Sequence, residues 1–303
     1  PGMVKAAHSV GKPAYGVGPG NVPCYVDRSA NIERAARYIV GSKSFDHSVI
    51  CSTEQAVIVD RPVADQLRRQ MESFGAYFTD EAQTEALRRT LFKPDGSINV
   101  DTVGKSPQVL ANMAGISVPE SAEILVTPLT KVGHDEPLSH EKLTTVLGWY
   151  VADGWQAGCD RCIDLIHFGG RGHSLVLHAE DEDVIMAFGL EKPVFRILVN
   201  TVGTLGAIGY TTNVMPSMTL GPGGEGRSIT GDNITVHHLY DVKRMAFEKR
   251  PPPEEILHPM SSPGSQVAAD TATATAASSE IDVDRIESMV VKIMNEIEAE
   301  RRS

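Results

Sequence analysis

The chain has 303 residues, 41% apolar and 22% charged, and its 28 Lys and Arg against 39 Asp and Glu leave a formal charge of −11. That composition can build a sizeable core, in one large domain or two ordinary ones, and its acidity argues against a nucleic-acid or membrane surface as partner. No apolar run approaches the ~18 residues needed to cross a bilayer and no basic start leads into an apolar segment; Cys24, Cys51, Cys159 and Cys162 are too few for a disulfide framework, so a soluble cytosolic protein with reduced thiols is expected.

Pro1 to Ala7 reads as a helix already under way, and a chain truncated at its N-terminus is expected. Gly11, Lys12 and Pro13 break that helix. Residues 14–18 then predict a strand ending in the turn Pro19-Gly20-Asn21, and residues 22–26 a second strand. From Asn31, the apolar residues Ile32, Ala35, Ala36, Ile39 and Val40 form the stripe of a core-facing helix that runs out near Phe45. A polar stretch and the apolar run 56–59 follow, which places Cys51 at a helix-to-strand junction.

Further on, the pattern predicts a helix after Pro62 and another opened by Asp80, with Gln83 completing a capping box. A strand is predicted around residues 123–126, a helix before His173, strands at 174–177 and 196–200, and a helix around Val184. Strands alternating with helices imply an α/β fold around a largely buried sheet. Beyond Tyr240 the character changes. Arg250-Pro251-Pro252-Pro253 ends the folded part, and 17 of the 21 residues from Pro259 to Ser279 are Pro, Ser, Thr, Ala or Gly. Such a stretch cannot offset its chain entropy by burial, so residues 250–279 read as a flexible linker. Residues 280–303 carry Val283, Ile286, Val290, Ile293 and Ile297 on one stripe, the pattern of an amphipathic helix.

By residue type alone, Cys51 is more often a small buried hydrophobe than a nucleophile. Its place in a loop favours display, although a free thiol stays mostly protonated at neutral pH unless the site lowers its pKa of ~8.5. Cys159 and Cys162 form a lone C-x-x-C with no second ligand pair, which reads as helix packing and not as a metal site. The glycine-rich pieces at 16–20, 169–172 and 221–226 match no nucleotide-binding fingerprint and read as tight turns or close backbone approaches.

Several ordered motifs together carry a resemblance. Gly11-Lys12-Pro13-Ala14 through Gly18-Pro19-Gly20-Asn21, Ser42-Lys43-Ser44-Phe45-Asp46 and Ile50-Cys51-Ser52-Thr53-Glu54-Gln55 are the first three. Pro137 to Leu143, Gly172-His173-Ser174, Arg196 to Thr201 and Leu220-Gly221 complete the set. Over residues 1–249 the chain resembles the CoA-acylating branch of the aldehyde dehydrogenase superfamily, as found in bifunctional aldehyde-alcohol dehydrogenases and in bacterial microcompartments. The resemblance implies an aldehyde dehydrogenase-like α/β fold, with residues 1–19 a remnant of the Rossmann-like NAD-binding domain and 20–231 the catalytic domain. Residues 232–249 would be a return and oligomerisation segment, with an exchanged arm strand at 233–238. With most of the dinucleotide-binding domain upstream of Pro1, this stretch by itself is expected to bind NAD poorly or not at all.

Carried over onto matching positions, Cys51 falls on the catalytic nucleophile, His173 on a supporting catalytic histidine and Glu141 on the glutamate that holds the nicotinamide ribose. Gly18 and Gly20 join the cofactor-binding residues, and no metal is implied. Hydrolytic relatives place a glutamate where this chain has Val17, and a valine cannot activate water. The implied reaction takes a short-chain aldehyde, NAD and CoA to acyl-CoA and NADH through a cysteine thioester. The implied setting is a cytoplasmic homo-oligomer, with residues 280–303 resembling peptides that dock enzymes onto microcompartment shell proteins and so place them in the lumen. Hydrolytic aldehyde oxidation and a truncated, inactive interaction protein are the competing readings.

Overall fold

A computed structural model of the chain describes residues 2–12 and 14–252; the predicted helix at 280–303 and most of the predicted linker lie outside the described residues. Pro1–Val242 forms one unit and Lys243–Ser303 a second. In the second, residues 243–252 are exposed and carry no regular element.

In chain order the first unit holds α1 (Gly2–Ser9), β1 (Val22–Val26), α2 (Ile32–Ser44), β2 (Glu54–Asp60), α3 (Ala64–Ser73), β3 (Ala76–Phe78), α4 (Glu81–Leu91) and α5 (Pro107–Ala114). Then come β4 (Ile124–Pro128), β5 (Val146–Ala152), α6 (Gly154–Gly169), β6 (Leu175–His178), α7 (Glu182–Glu191), β7 (Ile197–Val199) and α8 (Gly203–Ala207). The seven strands form one sheet in the order β3-β4-β5-β2-β1-β6-β7, and every pair is parallel. Parallel strands need crossover helices, which cover both faces and leave the sheet interior dry. Accordingly all seven residues of β2 are buried.

Alternation along the strands sorts side chains into two cores. Val22, Cys24 and Val26 of β1 and Val57 and Val59 of β2 pack beneath α2 and α3. Tyr25, Ala56 and Ile58 point the other way, against α4, α6 and α7. The predicted stripe of α2 is the buried one, Ile32, Ala35, Ala36, Ile39 and Val40, and Asn31 caps the helix by accepting from the Arg34 N–H. At α4 the capping box of Asp80 and Gln83 is present in both directions. Cys159 and Cys162 lie on α6, both buried in the core, as expected of helix packing.

One predicted strand does not form: residues 14–18 carry no regular element and pair with nothing among the described residues. Within the chain, the segment 233–238 makes a single bridge, Asn233 to Leu220, and then the 3-10 turn Val236–His238, closed by a Thr235 and His238 capping box. The interior strand β5 shows no two-residue alternation, because a strand buried on both faces reads as a continuous apolar run; of its seven residues Val151 alone is exposed.

At the centre of the second core, Gly158 of α6 lies against the ring of Tyr25, where an added Cβ would sit 2.3 Å from Cε2. Gly158→Ala is expected to destabilise the fold by about 1–3 kcal/mol through overpacking, seen as a lower urea midpoint. An unchanged midpoint would mean that α6 is free to move away from the sheet.

Candidate active site

Four residues singled out by the sequence, Gly20, Cys51, Glu141 and His173, and Arg196, to which the sequence assigned no role, each lie within five positions before the start of a strand. Those strands are β1, β2, β5, β6 and β7, which are neighbours in the sheet order β5-β2-β1-β6-β7. Because all run parallel, their amino ends share one rim, and loops far apart in sequence converge there.

The loop that delivers Cys51 is unusual. After α2, Asp46, His47 and Ser48 all take positive φ values, 48°, 46° and 68°. Left-handed backbone costs L residues about 1–2 kcal/mol each, least for short polar side chains such as Asp. The turn ends the helix sharply and returns the chain toward the sheet. His47 anchors it through Nδ1, 3.0 Å from the Gly104 carbonyl oxygen.

At the rim, Cys51 Sγ lies 3.2 Å from His173 Nε2, while His173 Nδ1 lies 3.1 Å from Ser174 Oγ. In the tautomer where Nδ1 donates to Ser174, Nε2 is a bare acceptor facing the thiol. His173 is fully buried, and burial, with the nearby Arg196 cation adding to it, draws the imidazole down to about 3. Burial, with the Glu141 carboxylate adding to it, pushes the Cys51 thiol up to about 11, against a smaller opposing pull from Arg196. At neutral pH this is therefore a neutral thiol beside a neutral base, not an ion pair.

Glu141 stands in a loop and not on a helix. Its Oε1 accepts from the Gly20 N–H at 2.7 Å. Burial raises the carboxyl above its ordinary range, opposed by that N–H and by Lys43 and Lys142. Gly20 itself is hemmed in: a Cβ there would fall 1.8 Å from the Cys51 carbonyl oxygen. Behind Glu141, the fully buried Lys142 ammonium donates to the carbonyls of Gln55, Leu138 and His140 at 3.1, 2.7 and 3.0 Å. It thus ties the Glu141 loop to the root of β2. Burial lowers Lys142 to about 7. A cavity of about 720 Å³ opens beside these groups, with Val17, Gly18, Cys51, Glu141, Phe92 and Ile98 in its walls.

No protein-family model matches the chain. Aldehyde-alcohol dehydrogenase 2 of Entamoeba histolytica is 40% identical over 274 residues, covering 86% of this chain and 32% of that protein. An acetylating aldehyde dehydrogenase from Geobacillus thermoglucosidasius matches with a TM-score of 0.81 at 47% identity, over 84% of this chain and 56% of that one. The chain belongs to the acylating aldehyde dehydrogenases. A propionaldehyde dehydrogenase of Rhodopseudomonas palustris, solved with bound CoA and an acylated cysteine, matches at TM-score 0.69 and 27% identity, over 76% of this chain and 52% of that one. The chain thus spans from about a third to just over half of the lengths of these relatives.

Within this acylating dehydrogenase chain, Cys51 and His173 meet directly, and Glu141 shares the cavity wall with Cys51. Gly18 also lines that wall, whereas Gly20 packs against the Cys51 carbonyl and does not line the cavity. Lys142, Ser174 and Arg196 belong to the motifs that carry the resemblance, but spacing assigned them no part. Arg196, a cation inside the apolar run 194–199, is the one of the three with a sequence signal of its own.

With Cys51 near 11 and His173 near 3, the thiolate fraction climbs about tenfold per pH unit below the thiol pKa while the imidazole stays neutral. The rate of Cys51 alkylation by iodoacetamide is therefore expected to rise log-linearly from about pH 6 to about pH 9, with no inflection from the imidazole. A plateau beginning below neutral pH would instead identify a thiolate–imidazolium pair.

Proposed function

We propose that this chain carries the thiol-bearing part of an active site that converts a short-chain aldehyde and CoA to acyl-CoA, with NAD as hydride acceptor and a thioester on Cys51 as intermediate. The observation that carries the reading is the 3.2 Å approach of Cys51 Sγ to the bare Nε2 of His173. As sulfur adds to the carbonyl carbon, the thiol proton passes to His173 Nε2, so no free thiolate has to form in the buried site. Ser174 Oγ steadies the ring through Nδ1. The oxyanion that forms needs N–H donors around it.

Glu141 and Gly18, in the wall of the same cavity, fit the ribose and flank of a nicotinamide dinucleotide. NAD, when bound, supplies the hydride acceptor. Once His173 has released the first proton to solvent, the acyl group on Cys51 passes to the thiol of CoA; His173 Nε2 is placed to accept the CoA proton and to return it to the departing Cys51 sulfur. Val17 lines the cavity where a water-activating carboxylate would be needed, which supports a thiol as acceptor. Glu141 is the carboxylate that does share the cavity, and its Oε1 is held by the Gly20 N–H. The relative solved with bound CoA and an acylated cysteine supports the same order of events.

Cys51→Ala in the protein that carries this chain is expected to reduce CoA-dependent NADH formation to background. In the parent protein, omitting CoA is expected to remove most NADH formation. Full activity of the alanine variant, or equal rates without CoA, would overturn the reading in favour of another nucleophile or of hydrolysis.

The proposal that residues 280–303 dock on a microcompartment shell rests on their apolar stripe and on a charge balance of seven acidic to four basic residues, which disfavours an anionic membrane. A reporter fused to residues 280–303 is expected to co-assemble with shells. Exclusion from them would remove the assignment.

A further inference from the structure

Arg196 sits just ahead of β7 with 4% of its surface exposed. Its guanidinium donates four hydrogen bonds, all to neutral acceptors. Nη1 reaches the His173 carbonyl at 3.1 Å and Nε reaches Asn233 Oδ1 at 2.6 Å. Nη2 reaches the carbonyls of Gly221 and Gly231 at 2.9 and 2.8 Å. Asn233 is itself fixed, because its Nδ2 donates to the carbonyls of Ala207 and Met215 at 2.9 and 2.7 Å. A buried arginine is ordinarily balanced by a carboxylate. Among the described residues none bonds to this one.

We propose that Arg196 is a positioning residue of the thiol site, locking His173 against Cys51 through the His173 carbonyl and bringing an uncompensated positive charge to the loop that carries His173. The inference rests on the reading of Cys51 as nucleophile. The two clamps on His173 are complementary: Ser174 Oγ holds the ring at Nδ1, and Arg196 holds the backbone at the carbonyl. With ring and backbone both fixed, Nε2 is held toward the sulfur.

The other charged and titratable groups facing this pair are few. Glu141 acts on Cys51 with the opposite sign, raising it, while Arg196 lowers it. The neutral form of His173 is favoured by burial and by the same arginine. Asp232 acts on Arg196 from the surface, but its side chain is 77% exposed and pairs with His238 at 3.6 Å. Burial draws Arg196 down to about 10, so it remains a cation at neutral pH. In a site where burial favours every neutral form, a fixed cation with no carboxylate on it favours negative charge on the adjacent sulfur, both in the thiolate and in the leaving group of thioester transfer.

Arg196→Gln and Arg196→Lys in the full chain test this, with Cys51 alkylation by iodoacetamide at about pH 8 read by mass spectrometry of the Cys51 peptide. Loss of both the cation and the hold on the His173 carbonyl is expected to slow the glutamine variant about tenfold. The lysine variant, which keeps the charge but not the four bonds, is expected to fall between the two, about threefold slower than the parent. An unchanged rate for glutamine, a lysine variant as fast as the parent, or one as slow as glutamine overturns the proposal and leaves Arg196 a cross-link between loops. Should the glutamine variant fail to give a cooperative thermal melt, the lysine variant decides alone: a loss of about threefold supports the proposal, and a parent rate or a loss of about tenfold overturns it. Failure of the nucleophile assignment would appear separately, as turnover that survives Cys51→Ala.

Discussion

Parallel pairing of β2 between β1 and β5 is the constraint on which the rest of the structure depends. Adjacent strands lie ~4.8 Å apart, so once their direction and register are set, the residues that enter them are held side by side whatever their separation in sequence. Cys51 and Glu141 share a cavity wall because β2 and β5 are neighbours; Gly20 and His173 flank them because β1 and β6 follow in order. Ligand sites on open parallel sheets usually gather at the carboxyl ends of the strands. Here the gathering is at the amino ends. The left-handed turn at Asp46 to Ser48 and the Lys142 anchor are the local devices that make loops converge on that rim.

Burial sets the electrostatic character of the site. It drives the Cys51 thiol, the Glu141 carboxyl, the His173 imidazole and the Lys142 ammonium each toward its neutral form. Charge separation at rest would be expensive in such surroundings, so a proton held between a thiol and a bare imidazole nitrogen is the economical arrangement. The site is then suited to developing charge during a reaction and not to storing it beforehand. Glycine at position 20 serves the same arrangement sterically, since any side chain there would displace the Cys51 backbone.

Binary patterning revealed the elements with one solvent-facing side. The α2 stripe, the α4 capping box and the α6 segment bearing Cys159 and Cys162 were legible because partial exposure leaves a periodic trace. The interior strand β5 left none, being buried except at Val151.

From sequence alone came the α/β class, the position of Cys51 in a loop before a strand, and the family resemblance that singled out Glu141 and His173. All of these are properties of local order along the chain. Only the tertiary structure decided that Cys51 and His173 touch, that the thiol is held protonated and the imidazole neutral, and that Arg196 bonds to the His173 carbonyl with no carboxylate on it among the described residues. Those depend on which strands become neighbours and on how much water the packed loops exclude. Both arise from contacts between residues far apart along the chain, 122 positions for Cys51 and His173, which no local pattern encodes.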